Sequence, residues 1–166
     1  ADDVLYLAVQ APTDSNGVFS TDFLVIAGGT VAGNSATINM MSGSDWTSSQ
    51  WRMGENLGNS ASLNLDGAGT TMLVDFRSFV GLEGSGEFNV TNGAVARFVH
   101  DPANGGTGVF VVGGVGVGSA GDVVIDGPGS TVSSEGASSA VNLNSILIGR
   151  QGTGTVTVSN GGLLTT

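Results

Sequence analysis

The chain has 166 residues, with 14 acidic side chains against 4 arginines and no lysine, a formal net charge of −10. So acidic a protein is repelled by nucleic acid and by an anionic membrane surface, so neither is expected as a partner. Cysteine is absent and histidine occurs once, which removes disulfides, a thiol nucleophile, a cysteine-type zinc site and a two-histidine metal site within the chain.

No apolar run approaches the ~18 residues of a membrane span, and no basic-then-apolar leader is present, so no membrane insertion is expected. The opening "ADDV" fits a mature N-terminus left by signal cleavage. Charged residues make up only 11% of the chain, against about 25% in ordinary domains. With 29 glycines beside them, the charges cannot form many pairs. Packing of β-branched and other apolar side chains and backbone hydrogen bonds must hold the fold.

In chain order, "VLYLAVQ" alternates like a strand and "APTDSNGVFSTD" reads as a turn-rich connection. Neither fits the pattern of the rest of the chain, so residues 1–22 are read as an N-terminal cap or irregular first coil, the kind of unit that shields the open edge of an array. From residue 23 to 166 the sequence repeats. An apolar-x-apolar mark recurs at Ile38/Met40, Leu63/Leu65, Phe88/Val90, Val123/Ile125 and Val156/Val158, its first members 25, 25, 35 and 33 residues apart. Shifted by 85 residues, "IAGGTVAGNSATINM" lies on "VVGGVGVGSAGDVVI" without a gap. A shift of 60 lays "LNLDGAGTTM" on "VVIDGPGSTV", and a shift of 68 lays "VGLEGSGEFNVTNGAV" on "IGRQGTGTVTVSNGGL". There are therefore two subtypes: the units at Ile38, Leu63 and Val123 form one, and those at Phe88 and Val156 the other.

Each unit reads as three short strands. The first ends in an apolar-glycine pair (Met53-Gly54, Val80-Gly81, Val112-Gly113, Ile148-Gly149), the second is the apolar-x-apolar mark, and the third comes after the Asp-Gly or Asn-Gly corner. An array of hairpins competes, since Asn-Gly between alternating runs is also a hairpin signal. Three strands per unit do not close into repeated antiparallel pairs, and helical periodicity is nowhere visible. A parallel β-solenoid, with equivalent residues stacked coil on coil, is the simpler solution. In that register Asn39, Asn64 and Asn89 face outward in one column and can form an amide ladder. Thr155, Thr157, Leu163 and Leu164 belong to a regular, nearly uncharged last coil, a candidate edge for assembly.

"GSAGDVVIDGPGSTV" and "GTGTVTVSNGGLL" resemble the two alternating halves of repeats in autotransporter passenger regions and in exported proteins with PEP-CTERM sorting signals. The likeness covers about residues 23–166. It implies a right-handed parallel β-helix on a secreted or bacterial cell-surface protein, outer-membrane-displayed and often adhesive, of which this chain is a segment. Its implied partners are other surface proteins, polysaccharide or copies of itself. The motif's residues are structural, so none is carried over as catalytic.

Chemistry is scarce among the remaining residues. His100 and Asp101 can pair as acid and base, but read more simply as polar loop residues. Asp66 and Asp126 precede glycine, where an aspartate ordinarily bonds its own local backbone. Neither the Gly-Gly-x-Gly-x-Asp calcium repeat nor a nucleotide-binding glycine loop followed by a helix occurs, and no cofactor is expected. Trp46 and Trp51, in "DWTSSQW", are candidates for carbohydrate stacking, set against burial in the core. The expectation is a non-catalytic structural or adhesive segment; the alternative is a polysaccharide-binding or polysaccharide-degrading β-helix.

Overall fold

A computed structural model of the chain describes residues 18–26, 32–41, 43–99, 109–135 and 146–166. Among these the protein is all-β, and every strand pair is parallel. The strands in chain order are β1 (Val18–Ile26), β2 (Ser35–Met40), β3 (Asp45–Met53), β4 (Ser60–Asp66), β5 (Thr71–Val80), β6 (Ser85–Thr91) and β7 (Val95–Val99). They continue with β8 (Val109–Val112), β9 (Ala120–Asp126), β10 (Thr131–Glu135), β11 (Ile146–Ile148), β12 (Thr153–Ser159) and β13 (Leu163–Thr165). One sheet runs β1-β3-β5-β7-β10-β13, with β8 paired to β5 and β11 to β8; the other runs β2-β4-β6-β9-β12. This is a β-helix-like arrangement, not an array of hairpins.

The second sheet shows why the sequence winds this way. Its strands pair so that Ile38, Leu63, Phe88, Val123 and Val156 form one row, and Met40, Leu65, Val90, Ile125 and Val158 another. Period-2 alternation turns both rows inward. Leu63, Leu65, Phe88, Val90, Val123 and Ile125 are all fully buried. A third row, Ala36, Ala61, Gly86, Gly121 and Gly154, shrinks to glycine where the chain crosses from the first sheet. A Cβ at Gly86 would collide with the Gly81 backbone nitrogen, and one at Gly121 with that of Gly113. Only glycine lets the two backbones approach so closely.

In the first sheet the strands read as third in one unit and first in the next run together as β3 and β5. No glycine, proline or asparagine interrupts "TSSQWR" or "VDFRS" to stop them, and only a register irregularity between Ser48 and Gln50 marks the join. β5 then divides its partners, Thr71–Val74 pairing with β7 and Arg77–Val80 with β8. Among the described residues the ladder reaches back to Val18, inside the stretch read as the cap, because β1 pairs with β3 from Val18 to Ile26. The rest of that stretch, residues 1–17, lies outside the described residues, as do His100 and Asp101.

The interior is filled by complementary sizes along the rows. Trp51, Ser78 and Phe110 are consecutive partners, and the small buried Ser78 separates two large rings. Phe98 stacks on Phe110 with centroids 4.3 Å apart, and Phe88 meets Trp51 at 5.3 Å and Phe110 at 6.1 Å. Such offset and edge contacts add to what area burial alone supplies.

Phe88 sits at the centre of this cluster and is fully buried. Phe88→Ala is expected to cost about 3–5 kcal/mol, the range for a deleted core aromatic. Thr157→Ala, at an exposed outer position, should stay within about 0.5 kcal/mol. Urea unfolding of the two variants checks the assignment of inside and outside.

Candidate functional site

The outer face of the second sheet is built mostly of polar side chains. Asn39, Asn64 and Asn89 occupy one row. Asn64 Nδ2 donates to Asn39 Oδ1 at 2.7 Å, and Asn89 Nδ2 donates to Asn64 Oδ1 at 2.8 Å. Val124 and Thr157 continue the row without amides. Beside it lie Thr37, Ser62, Glu87, Asp122 and Thr155. Glu87 accepts from Asn89 Nδ2 at 3.0 Å and from Ser62 Oγ at 3.4 Å. No strand of this sheet carries lysine, arginine or histidine.

At the edge of that face two aspartates do more than their local turns require. Asp66 Oδ1 accepts from Thr91 Oγ1 at 2.7 Å and from Asn92 Nδ2 at 2.6 Å, both in the next coil. Asp126 Oδ1 accepts from Ser159 Oγ at 2.6 Å and from Asn160 Nδ2 at 2.7 Å in the same way. The expectation that these carboxylates serve their own backbone is therefore corrected. The local acceptors are the main-chain carbonyls of Asp66 and Asp126, satisfied by Thr70 Oγ1 and Ser130 Oγ at 2.7 and 2.6 Å. Asn92 and Asn160, at φ of 54° and 49°, are the non-glycine residues with positive φ among those described. Asparagine tolerates this left-handed geometry, and here it aims the amide at the aspartate of the coil before. The signal was present in the sequence, since Thr91-Asn92 and Ser159-Asn160 each lie one repeat after an Asp-Gly.

These donors favour the charged carboxylate. Thr91 and then Asn92 hold Asp66 below the ordinary aspartate value of 3.8, and Ser159 and then Asn160 do the same to Asp126. In the first sheet Arg97 forms a forked pair with Glu135, with nitrogen–oxygen distances of 3.2, 3.2 and 2.6 Å, and Ser133 also donates to Glu135. Arg97 foremost, then Ser133, keeps Glu135 below its ordinary 4.5.

The tryptophans do not form a sugar platform. Trp46 and Trp51 are 2% and 0% exposed, because alternation from Asp45 turns Trp46 inward and the apolar-x-apolar pair Trp51/Met53 faces the core. Of the last-coil residues, Thr155, Thr157 and Leu163 are exposed, while Leu164 is half-buried against the core. Among the described residues no group of three or more His, Asp or Glu side chains is placed to hold a metal ion. Compared with known families, curated proteins and solved structures, the chain matches no family model, no curated protein and no solved structure.

Acid sensitivity results from the lowered carboxyls. A carboxyl whose folded value lies below its unfolded one adds stability above the unfolded value, and that stability is lost as pH falls through the folded one. The urea midpoint should hold level from about pH 7 to 5 and then fall below about pH 4. In a variant with Asp66→Asn and Asp126→Asn, the acid-side slope should be shallower. Urea titrations at stepped pH measure both curves.

Proposed function

We propose that this chain is a non-catalytic structural or adhesive segment of a secreted or bacterial surface-displayed protein, akin to an autotransporter passenger or a PEP-CTERM-associated repeat protein. One observation carries the reading most. Three of the carboxylates are engaged in holding one coil to the next: Asp66 to Thr91 and Asn92, Asp126 to Ser159 and Asn160, Glu135 to Arg97. Side chains bound in this way stiffen a rod and present its faces. The winding is taken as right-handed, the hand that crossovers between parallel twisted strands adopt, with three strand positions per coil. Partners of such a rod are other surface proteins, polysaccharide or copies of itself.

In the isolated 166-residue segment, self-association is expected through its last coil. β12 pairs on one side with β9, and Val158 and Leu163 on that coil are 45% and 53% exposed. Arg150 is the one charged residue of the stretch 146–166. Neither lysine nor proline guards the strand, the usual protection of a free edge. The net charge of −10 opposes pairing at low salt, and screening shortens that repulsion to about 8 Å at 0.15 M.

Assembly of the 166-residue chain should therefore rise with ionic strength in sedimentation runs. A variant with Thr155→Lys and Thr157→Lys should stay monomeric. A wild type that remains monomeric at high salt and high concentration counts against the edge. Incubation with a panel of anionic polysaccharides should leave them intact, and chain cleavage would overturn the non-catalytic reading in favour of the polysaccharide-degrading one.

A further inference from the structure

The two corner types lie against each other in a fixed order. We propose that they form a two-sided pairing code, in which a coil turning at Asp-Gly must be followed by one turning at Ser/Thr-Asn-Gly. The first side of the code is the bond from the Asp carboxylate to the hydroxyl and amide of the next coil. It occurs at both places where an Asp coil (β4, β9) precedes an Asn coil (β6, β12), with the same kinds of side chain in the same roles. The second side is seen where an Asn coil precedes an Asp coil. Gly93 N–H donates to Ser130 Oγ at 3.0 Å, Ser130 Oγ donates to the Asp126 carbonyl at 2.6 Å, and Asn92 N–H reaches that same carbonyl at 3.2 Å. The fully buried Ser130 thus accepts from one coil while donating within its own.

At the opposite corner the loops differ in length. Asp coils carry long loops there, Gly54 to Ser60 and Gly113 to Ala120, and Asn coils carry short ones, Gly81 to Ser85 and Gly149 to Thr153. Each short loop seats a glycine against the preceding long loop. A Cβ at Gly84 would collide with the Asn59 carbonyl, and one at Gly152 with the Ser119 carbonyl and hydroxyl. The backbone bond beside each seat is Ser85 N–H to Asn59 O at 2.8 Å and Thr153 N–H to Ser119 O at 2.9 Å. It recurs between the two long loops before β2 and β4 as Ser60 N–H to Asn34 O at 2.9 Å, so the order rests on the side chains of the Asp and Asn corners. Two Asp corners in succession would stack carboxylates at about the 4.8 Å strand spacing with no donor between them. The outgoing face of an Asp coil is therefore selective: its Asp-Gly corner takes a Ser/Thr-Asn-Gly corner, whether from the next turn of the chain or from another copy.

Charge exchange across one corner tests this. Asp66→Asn, Asn92→Asp and the double exchange are compared by urea unfolding, followed by the fluorescence of the buried Trp46 and Trp51. Asn92→Asp should lower the midpoint most, since it faces a second carboxylate with Asp66, and Asp66→Asn should lower it less. The double variant keeps the net charge of −10 and restores a donor–acceptor pair with its direction reversed. It should recover more than half of the summed loss. Simple addition of the two shifts, or single variants with wild-type midpoints, would overturn the code. If the first exchange does not fold, Asp126→Asn with Asn160→Asp gives the same comparison at the last coil, with the same two outcomes.

Discussion

In the described strands, residues are stacked on their equivalents one coil away, and that constraint governs the rest of the structure. Parallel pairing holds equivalent backbones about 4.8 Å apart. A side chain must therefore suit its neighbour above and below before it can suit anything else. Apolar side chains meet the condition by like-on-like packing, as Leu63, Phe88 and Val123 do. Amides meet it by donating to one another, as the three asparagines do. Charges meet it poorly, because a like charge directly opposite destabilises a sheet.

The composition reflects this constraint. A chain that stacks its own repeat cannot carry many ionisable groups unless the row alternates, and charged residues are 11% of the total. The acids that remain in the described rows are mostly placed beside neutral donors or a cation. Asp66 and Asp126 have Thr or Ser and Asn above them, and Glu135 has Arg97. Glu87 and Asp122 are the exception, direct row partners of the same sign. Glu87 is drawn sideways to Asn89 and Ser62, which spreads its charge over donors on its own and the preceding strand. Exposure on the outer face, where water screens the pair, keeps the cost small.

What the sequence made legible was what depends on period and register. The inward rows and the outward asparagine column could be read because alternation has a period of two and the apolar-x-apolar marks fix the phase. The fusion of two strand positions into β3 and β5 could not, since a missing turn signal is weaker than a present one. Trp46 and Trp51 were open between core and surface, because a large aromatic suits either and only the phase of the first sheet decides. The role of Asp66 and Asp126 was hidden for another reason. An aspartate before glycine satisfies a local rule, and local rules do not report what lies one coil above. The information was in the pairing of subtypes, not in either corner alone.

That pairing solves a problem which the interior creates. In the second sheet, rows of Leu, Val, Ile and Phe are nearly interchangeable, so a slip by one whole coil would leave that side of the core almost as well filled. A one-residue slip is punished by exposing every apolar side chain, but a one-coil slip is not. The corners break that degeneracy, because from β4 to β12 they alternate in chemistry between Asp-Gly and Asn-Gly. A slipped array would set carboxylate on carboxylate at the Asp corners. The few polar side chains here thus contribute less to how strongly the coils bind than to which coil binds which. This division of labour lets a glycine-rich, charge-poor chain settle into one register.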